Sequence, residues 1–584
     1  MRRVGCVTVA LLASFVVVGF PIARASPDLS GLWQAERRFG PELRGTLTVR
    51  PNGEAYEAEL GRFRVTGVRD GERIAFEFPG GRGAFRGRLR EGDLLGHWYA
   101  PRLTMAGLSE ASPVVLRSDG ASWRGEVIPL DDGFTFFLKL DREGRGRYSA
   151  FLRNPERNLG VFYNLETARV NGDRIEFVGT WRGRGDQRVL LEGALGEGAE
   201  HFSISIPGRG GTYDFQRVDE DEASAFYPRG TDPGRYVYRE PLKTNDGWAT
   251  ATLDEVGIDT EDIEAFVRSE LMGKPDGVHA QYIDGVLIAR HGKLVFEEYF
   301  HGFHRGRPHD TRSGSKSLAS TLIGAAIRAG APLSLDSLAY DVMYDGDVPV
   351  DVDPRARRMT LRHLLTMSSG YFCDDGDPGA PGNEGSMQEQ QDQPDWYRYT
   401  LDVPMASEPG AAAVYCSSNP NLATGMLLRA TGTPIEDVFQ ELVAGPLEID
   451  RYHAVLQPTG EPYLGGGMYW FPRDFMKLGQ LHLDGGVWNG TRVLSEKWAR
   501  DTTSPLVRIG DRGYGYFWWI IEYDVDGRML HAYYAAGNGG NIVVVVPEAD
   551  LVIAFFGSNY SDRVMFRPQS ELIPDFILPA VSLD

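Results

Sequence analysis

A serine and a lysine stand three residues apart in Arg312-Ser313-Gly314-Ser315-Lys316-Ser317-Leu318, at the head of a run of small and apolar residues. On a helix, positions i and i+3 share a face, so the Ser313 hydroxyl and the Lys316 amine are expected to meet. A serine hydroxyl is a weak nucleophile at neutral pH and needs a neighbouring base; a desolvated lysine can serve. Ser317 to Ala329 reads as the continuing helix, with Leu318, Leu322 and Ala326 on one face and Gly330 and Pro332 as its stop. Ser313 then lies at the positive end of a helix dipole, where a developing oxyanion is stabilised. The competing reading is a helix-capping serine followed by a solvated lysine. Of the few lysines in this chain, only Lys316 has a serine three residues before it.

Acyl transfer from such a serine requires a second proton handler for the leaving group. Pro409-Gly410-Ala411-Ala412-Ala413-Val414-Tyr415-Cys416-Ser417-Ser418-Asn419 offers Tyr415, with Ser417 two residues on. A phenol serves only if a nearby cation eases its ionisation, and Lys316 is the candidate. A core aromatic with a satisfied hydroxyl is the alternative for Tyr415.

The elements that must position these groups belong to a chain of 584 residues, long enough for two or three domains, with 42% apolar residues. A formal net charge of -20 argues against a nucleic-acid partner. Arg2 and Arg3, the apolar stretch Val7 to Phe20 and the small-x-small site Ala23-Arg24-Ala25 read as a cleavable export signal over residues 1–25. No later apolar run has membrane length, and Cys6 has no lipobox around it, so a soluble periplasmic or secreted protein without a stable membrane anchor is expected. Past the signal remain Cys373 and Cys416, an even pair that in an oxidising compartment invites a disulfide, with two buried free thiols as the alternative.

Residues 26–220 are rich in glycine and arginine and alternate at the strand period, as in Gly45-Thr46-Leu47-Thr48-Val49, Ile74-Ala75-Phe76-Glu77-Phe78 and Phe202-Ser203-Ile204-Ser205-Ile206. Gly71-Glu72-Arg73-Ile74-Ala75-Phe76 is echoed by Gly172-Asp173-Arg174-Ile175-Glu176-Phe177, which suggests duplicated β-modules or one large antiparallel barrel. Residues 221–248, punctuated by Pro228, Pro233 and Pro241, read as a linker. From 249 to 584 the texture changes. A hairpin turns at His291-Gly292, helices are expected at 313–329 and 360–368, and strands at Asn541 to Val546 and Leu551 to Phe556 close the domain. Strands, a helical block, then strands again imply an α+β domain whose antiparallel sheet is flanked by helices and carries a helical insertion.

From about residue 280 onward the chain resembles the class C β-lactamase-like serine hydrolases, a family that includes penicillin-binding proteins, carboxylesterases and nylon-oligomer hydrolases. The resemblance rests on stretches in the expected order: Leu287 to Tyr299, His309 to Lys316, Met359 to Gly370, Tyr415-Cys416-Ser417 in place of Tyr-x-Asn, Gly465-Gly466-Gly467-Met468-Tyr469 through Asp474, and Gly513 to Trp519. It implies a β-lactamase/transpeptidase-like domain, which follows the N-terminal antiparallel barrel-like module read from strand alternation in a multidomain chain. It further implies that Ser313 attacks a carbonyl and forms an acyl-enzyme while Lys316 and Tyr415 shuttle protons. Ser417, Gly537 and Asn538 would contact substrate or the oxyanion, with the backbone N–H of Ser313 as the other oxyanion donor. The late strand departs from the pattern: where relatives carry Lys-Thr-Gly, this chain has Ala535-Ala536-Gly537-Asn538. An anionic β-lactam would lose a charge-assisted contact of about 1.5–3 kcal/mol there. A small neutral ester or amide is therefore the expected substrate. A penicillin-binding or D-amino-acid peptidase activity on peptidoglycan fragments, or a non-catalytic binding protein, are the alternatives. A Cys373–Cys416 bridge would pin the acidic loop Asp374-Asp375-Gly376-Asp377 beside Tyr415. No cofactor or metal is expected, since no His-Glu-x-x-His occurs and the acidic loop lacks EF-hand spacing. His363 and His531 read as structural, and the oligomeric state is left open.

Overall fold

Strand-period alternation builds two closed antiparallel barrels, one nested in the chain path of the other. The structure is a computed structural model that describes residues 28–221, 223–232, 234–390 and 394–583; the expected export signal lies outside the described residues. Gly31–Gly40 opens the first barrel, and the chain then builds a whole second barrel over residues 45–127 before returning at Asp132–Gly144. The first barrel closes where Leu32 pairs with Val218. The second closes through Gly45↔Val127 and Arg117↔Arg124.

Burial follows the pleat, strictly alternating along Ala55–Leu60 and Arg73–Glu77. The inward sets are aromatic: Trp33, Phe136, Phe177 and Phe202 in the first barrel, Phe76, Phe85 and Trp98 in the second. The echoed glycines, Gly71 (φ 60°) and Gly172 (φ 66°), each turn one hairpin, in the second and first barrel respectively. The expected barrel-like module is thus two barrels rather than one large one.

The C-terminal part is the expected sheet with helices. Nine strands form one sheet, with Ile283–Arg290, Leu551–Gly557 and Asn541–Val546 at its centre. These strands are buried on both faces. Val543, Val545, Val552 and Ala554 face the core that holds helices Ser315–Arg328 and Pro472–Leu483, while Ile542, Val544, Val546, Ile553 and Phe555 face Thr260–Phe266 and the C-terminal helical segment Pro568–Ile577. The turn between Ile283–Arg290 and Lys293–Tyr299 uses His291 (φ 53°) and Gly292 (φ 68°), the doubly left-handed geometry that suits a two-residue hairpin.

The described residues of 221–248 lack long regular elements but are docked. Tyr236 donates to Glu298 at 2.7 Å, and Arg473 pairs with both Glu297 (2.6 Å) and Asp246 (2.9 Å).

A sheet crosses from the second barrel into the C-terminal part. Glu110–Ser118 pairs with Tyr452–Val455, which pairs with Met468–Trp470, which pairs with His309–Asp310 just ahead of Ser313. Val455 and Tyr469 also belong to the core of the first barrel. Residues 249–583 expressed alone would leave one edge of strand Tyr452–Val455 unpaired and bare the apolar surface under the barrels. That fragment is expected to aggregate or to lose its cooperative melting transition. A soluble fragment with a sharp transition would contradict the shared-core account.

Candidate active site

The Ser-x-x-Lys spacing acts as its helical geometry requires. Arg312–Gly314 forms a 3₁₀ turn that runs directly into helix Ser315–Arg328, so Ser313 sits one turn ahead of the α-helix. Lys316 Nζ donates to Ser313 Oγ at 2.8 Å and to the Gly465 carbonyl at 2.5 Å. It also lies 4.9 Å from the centroid of the Tyr415 ring. Ser313, Lys316 and Tyr415 therefore meet, although Tyr415 comes from a segment a hundred residues away in sequence.

The helix is buried all round from Ser315 to Ala326, beyond the single face expected from Leu318, Leu322 and Ala326. Its small residues allow this close packing. Gly314 sits against the Phe475 ring, where an added Cβ would lie 2.8 Å from Cζ. Trp519 stacks on the other side of the site, its ring centroid 5.4 Å from that of Tyr415.

The residue before the nucleophile is strained. Arg312 has φ 47°, a left-handed conformation uncommon for a side chain of this size. Asp310 holds it there, accepting from the Arg312 backbone N–H at 3.2 Å and pairing with its Nε at 2.8 Å.

Cys373 and Cys416 form a disulfide, Cα–Cα 5.6 Å. The bridge sets the acidic loop against Tyr415: Asp375 N–H donates to the Tyr415 carbonyl at 3.0 Å. The Asp375 carboxylate accepts from Ser417 N–H (2.8 Å), Ser417 Oγ (2.6 Å) and Glu384 N–H (3.0 Å). Glu384 in turn accepts from Tyr463 OH at 2.7 Å.

These carboxylates decide the charge of Lys316. Burial alone would lower the lysine's pKa, but the Tyr415 phenol and the Glu384 and Asp375 carboxylates outweigh it and raise the pKa above the ordinary lysine value. Asp375 itself is pushed up, chiefly by burial, against the opposing pull of the Lys316 cation. Lys316, expected both as the base for Ser313 and as the cation beside Tyr415, is thus favoured as an ammonium by Tyr415 and by the Glu384 and Asp375 carboxylates. Since its pKa is raised, the stability contributed by this charge is complete below the ordinary lysine value and is lost only as pH rises through the higher one.

The three residues expected at the substrate or oxyanion have these surroundings. Ser417 is fully buried and engaged with Asp375, so it anchors the acidic loop. The Asn538 side-chain oxygen accepts from Ser561 N–H at 2.7 Å, which turns the amide toward that loop. Gly537 packs backbone to backbone against the nucleophile turn, where a Cβ would lie 1.8 Å from the Thr311 carbonyl oxygen. That contact sets the end of strand Arg528–Gly537 beside Ser313, although the late strand brings no cation. His363 is a capping residue, its Nδ1 accepting from Thr360 N–H at 3.1 Å.

Glu384 and the Gly465 carbonyl were invisible in the sequence, since neither lies in a pattern that points to Lys316. The charge argument predicts a pH effect. Asp375→Asn removes one carboxylate that favours the ammonium, so the alkaline limb of a kcat/KM profile should move to lower pH. A limb that stays in place would contradict the assignment.

Known proteins are similar to the part of the chain that carries these residues. Residues 277–567 match the family model described as Beta-lactamase. A 6-aminohexanoate-dimer hydrolase of Paenarthrobacter ureafaciens is 28% identical over 238 residues, which covers 37% of this chain and 55% of that protein. This chain thus spans only about half the length of that relative. Among solved structures, a family VIII carboxylesterase is similar at 16% identity and TM-score 0.44, covering 55% of this chain and 97% of the other. The penicillin-binding protein of Bacillus halodurans is similar at 19% identity and TM-score 0.38, covering 49% and 94%. Through residues 277–567, the chain belongs to the beta-lactamase family.

Proposed function

We propose that the protein is an exported serine hydrolase that cleaves a small ester or amide through an acyl-enzyme on Ser313. The observation that carries this reading is the 2.8 Å contact of Lys316 Nζ with Ser313 Oγ beside the Tyr415 ring, inside a beta-lactamase-family domain. Ser313 Oγ attacks the carbonyl carbon and its proton passes into the Lys316–Tyr415 pair. That pair then returns the proton to the leaving group. Water then attacks the acyl carbonyl by the reverse route and frees Ser313.

Two features support a neutral substrate over an anionic β-lactam. Ala535-Ala536-Gly537-Asn538 offers no cation, and Asp375 and Glu384 add negative charge close to Lys316. One similar protein is named a 6-aminohexanoate-dimer hydrolase and another a carboxylesterase, which supports a hydrolytic reading. The Arg2-Arg3, apolar stretch and Ala23-Arg24-Ala25 pattern supports export, and the Cys373–Cys416 bridge suits an oxidising compartment. N-terminal sequencing of the protein secreted or recovered from the periplasm should begin at Ser26; an intact Met1 would contradict export.

A fluorophosphonate probe and a fluorescent penicillin test the chemistry. Labelling by the fluorophosphonate alone, lost in Ser313→Ala, is the expected result. Penicillin labelling would favour peptidoglycan substrates, and labelling by neither would favour a binding protein. Lys316→Ala should nearly abolish turnover, and Tyr415→Phe should lower it by roughly 10²–10⁴. Wild-type rates in Tyr415→Phe would remove that residue from the mechanism.

A further inference from the structure

We propose that Arg157, a residue of the first barrel, is a positioning residue for the Ser313 nucleophile, so that the N-terminal module completes the active site. This inference rests on the hydrolase reading above. Arg157 lies in the loop that follows strand Arg147–Arg153, and its guanidinium leaves the barrel to enter the family domain. Its Nη1 meets Asp310 Oδ2 at 2.8 Å, with the two side chains only 10% and 8% exposed. Nη2 donates to Tyr469 OH at 3.2 Å, and Nε donates to the Met105 carbonyl at 2.9 Å. The guanidinium thus joins a loop of the first barrel and a loop of the second to the strand that precedes the nucleophile.

The carboxylate it grips is the one that holds the nucleophile turn. Asp310 also binds the Arg312 backbone N–H and Nε, and Arg312 carries the left-handed φ directly ahead of Ser313. The Arg312 guanidinium lies 5.0 Å from the centroid of the Tyr560 ring. Tyr560 is tied to the same barrel loop, since Asn158 Nδ2 donates to its carbonyl at 2.9 Å and its OH donates to the Asp310 carbonyl at 3.2 Å. The loop is itself built to present these groups: Asn154 Oδ1 accepts from Arg157 N–H at 3.0 Å, and the Asn154 carbonyl accepts from Asn158 N–H at 2.8 Å.

A left-handed arginine persists only where its surroundings over-determine it. Asp310 supplies that constraint, and a carboxylate held by Arg312 alone can swing with it. Arg157 meets the same Oδ2 oxygen that pairs with Arg312 Nε but is anchored in the barrel loop, so it ties the carboxylate to a second element. Without Arg157, Asp310 and the turn gain freedom, and the Ser313 Oγ leaves the line of Lys316 for part of the time. A small misplacement of a nucleophile is costly to rate while leaving substrate affinity largely intact.

The test uses the full chain and four proteins: wild type, Arg157→Gln, Arg157→Lys, and Leu138→Ala as a control in the first barrel's core, remote in character from the clamp. Leu138 is fully buried, so its truncation reports destabilisation of the barrel alone. Each is measured for Tm, for the rate of fluorophosphonate labelling at Ser313 per folded molecule, and for kcat and KM on a neutral ester. Arg157→Gln is expected to slow labelling and lower kcat by about 10–100-fold, with KM changed by less than about twofold. Arg157→Lys should recover part of the loss, because it restores the charge facing Asp310 without the fork. Leu138→Ala should lower Tm yet label at close to the wild-type rate. Labelling by Arg157→Gln at the wild-type rate overturns the proposal. So does a loss in Leu138→Ala that matches Arg157→Gln, or an Arg157→Lys variant no better than the glutamine. A wild-type chain that never labels overturns the hydrolase reading as well, and is told apart by that first measurement.

Discussion

Burying the Lys316 ammonium would cost several kcal/mol if nothing replaced its water, and four separate stretches of chain converge to replace it. Ser313 and Gly465 supply oxygen acceptors, Tyr415 supplies a ring face, and the Asp375–Glu384 loop supplies negative charge. Much of the local architecture follows from that requirement. The disulfide holds the acidic loop, Ser417 anchors its carboxylate, and the Gly465-Gly466-Gly467 run brings a backbone carbonyl to within hydrogen-bond distance. The arrangement that satisfies a buried cation is also the one that keeps a serine hydroxyl, a phenol and an ammonium in contact.

The same economy links the domains. The central strands of the C-terminal sheet are buried on both faces and give a rigid floor, and Gly537 at the end of one strand touches the turn that carries Ser313. From the opposite direction the second barrel's sheet runs through Tyr452–Val455 and Met468–Trp470 to His309–Asp310. The nucleophile turn therefore lies between two sheets, with its strained Arg312 held by Asp310 and Thr311 packed against Gly537.

What could be read from sequence was what repeats locally. The i, i+3 spacing of Ser313 and Lys316, the turn at His291-Gly292, and the alternation of Ile74-Ala75-Phe76 each encode geometry within a few residues. The nesting of the barrels could not be read this way, because Gly31–Gly40 finds its partner at Asp132–Gly144 only after a complete second barrel has formed. The groups that favour charge on Lys316 could not be read for a similar reason: burial was visible in its apolar neighbours, but Glu384, sixty-eight residues on, was not. Ser417 and Asn538 have residue types that suit a substrate contact. Their partners Asp375 and Ser561 come from distant loops.

The central claim is that Ser313 is the atom that becomes acylated, and trapping the intermediate tests it most directly. The chain is mixed with a p-nitrophenyl ester, quenched in acid within the first turnover, digested and mapped by mass spectrometry. An acyl adduct on the peptide bearing Ser313, absent from Ser313→Ala, is the predicted result. Turnover of the ester with no adduct, or an adduct on another residue, would contradict the account.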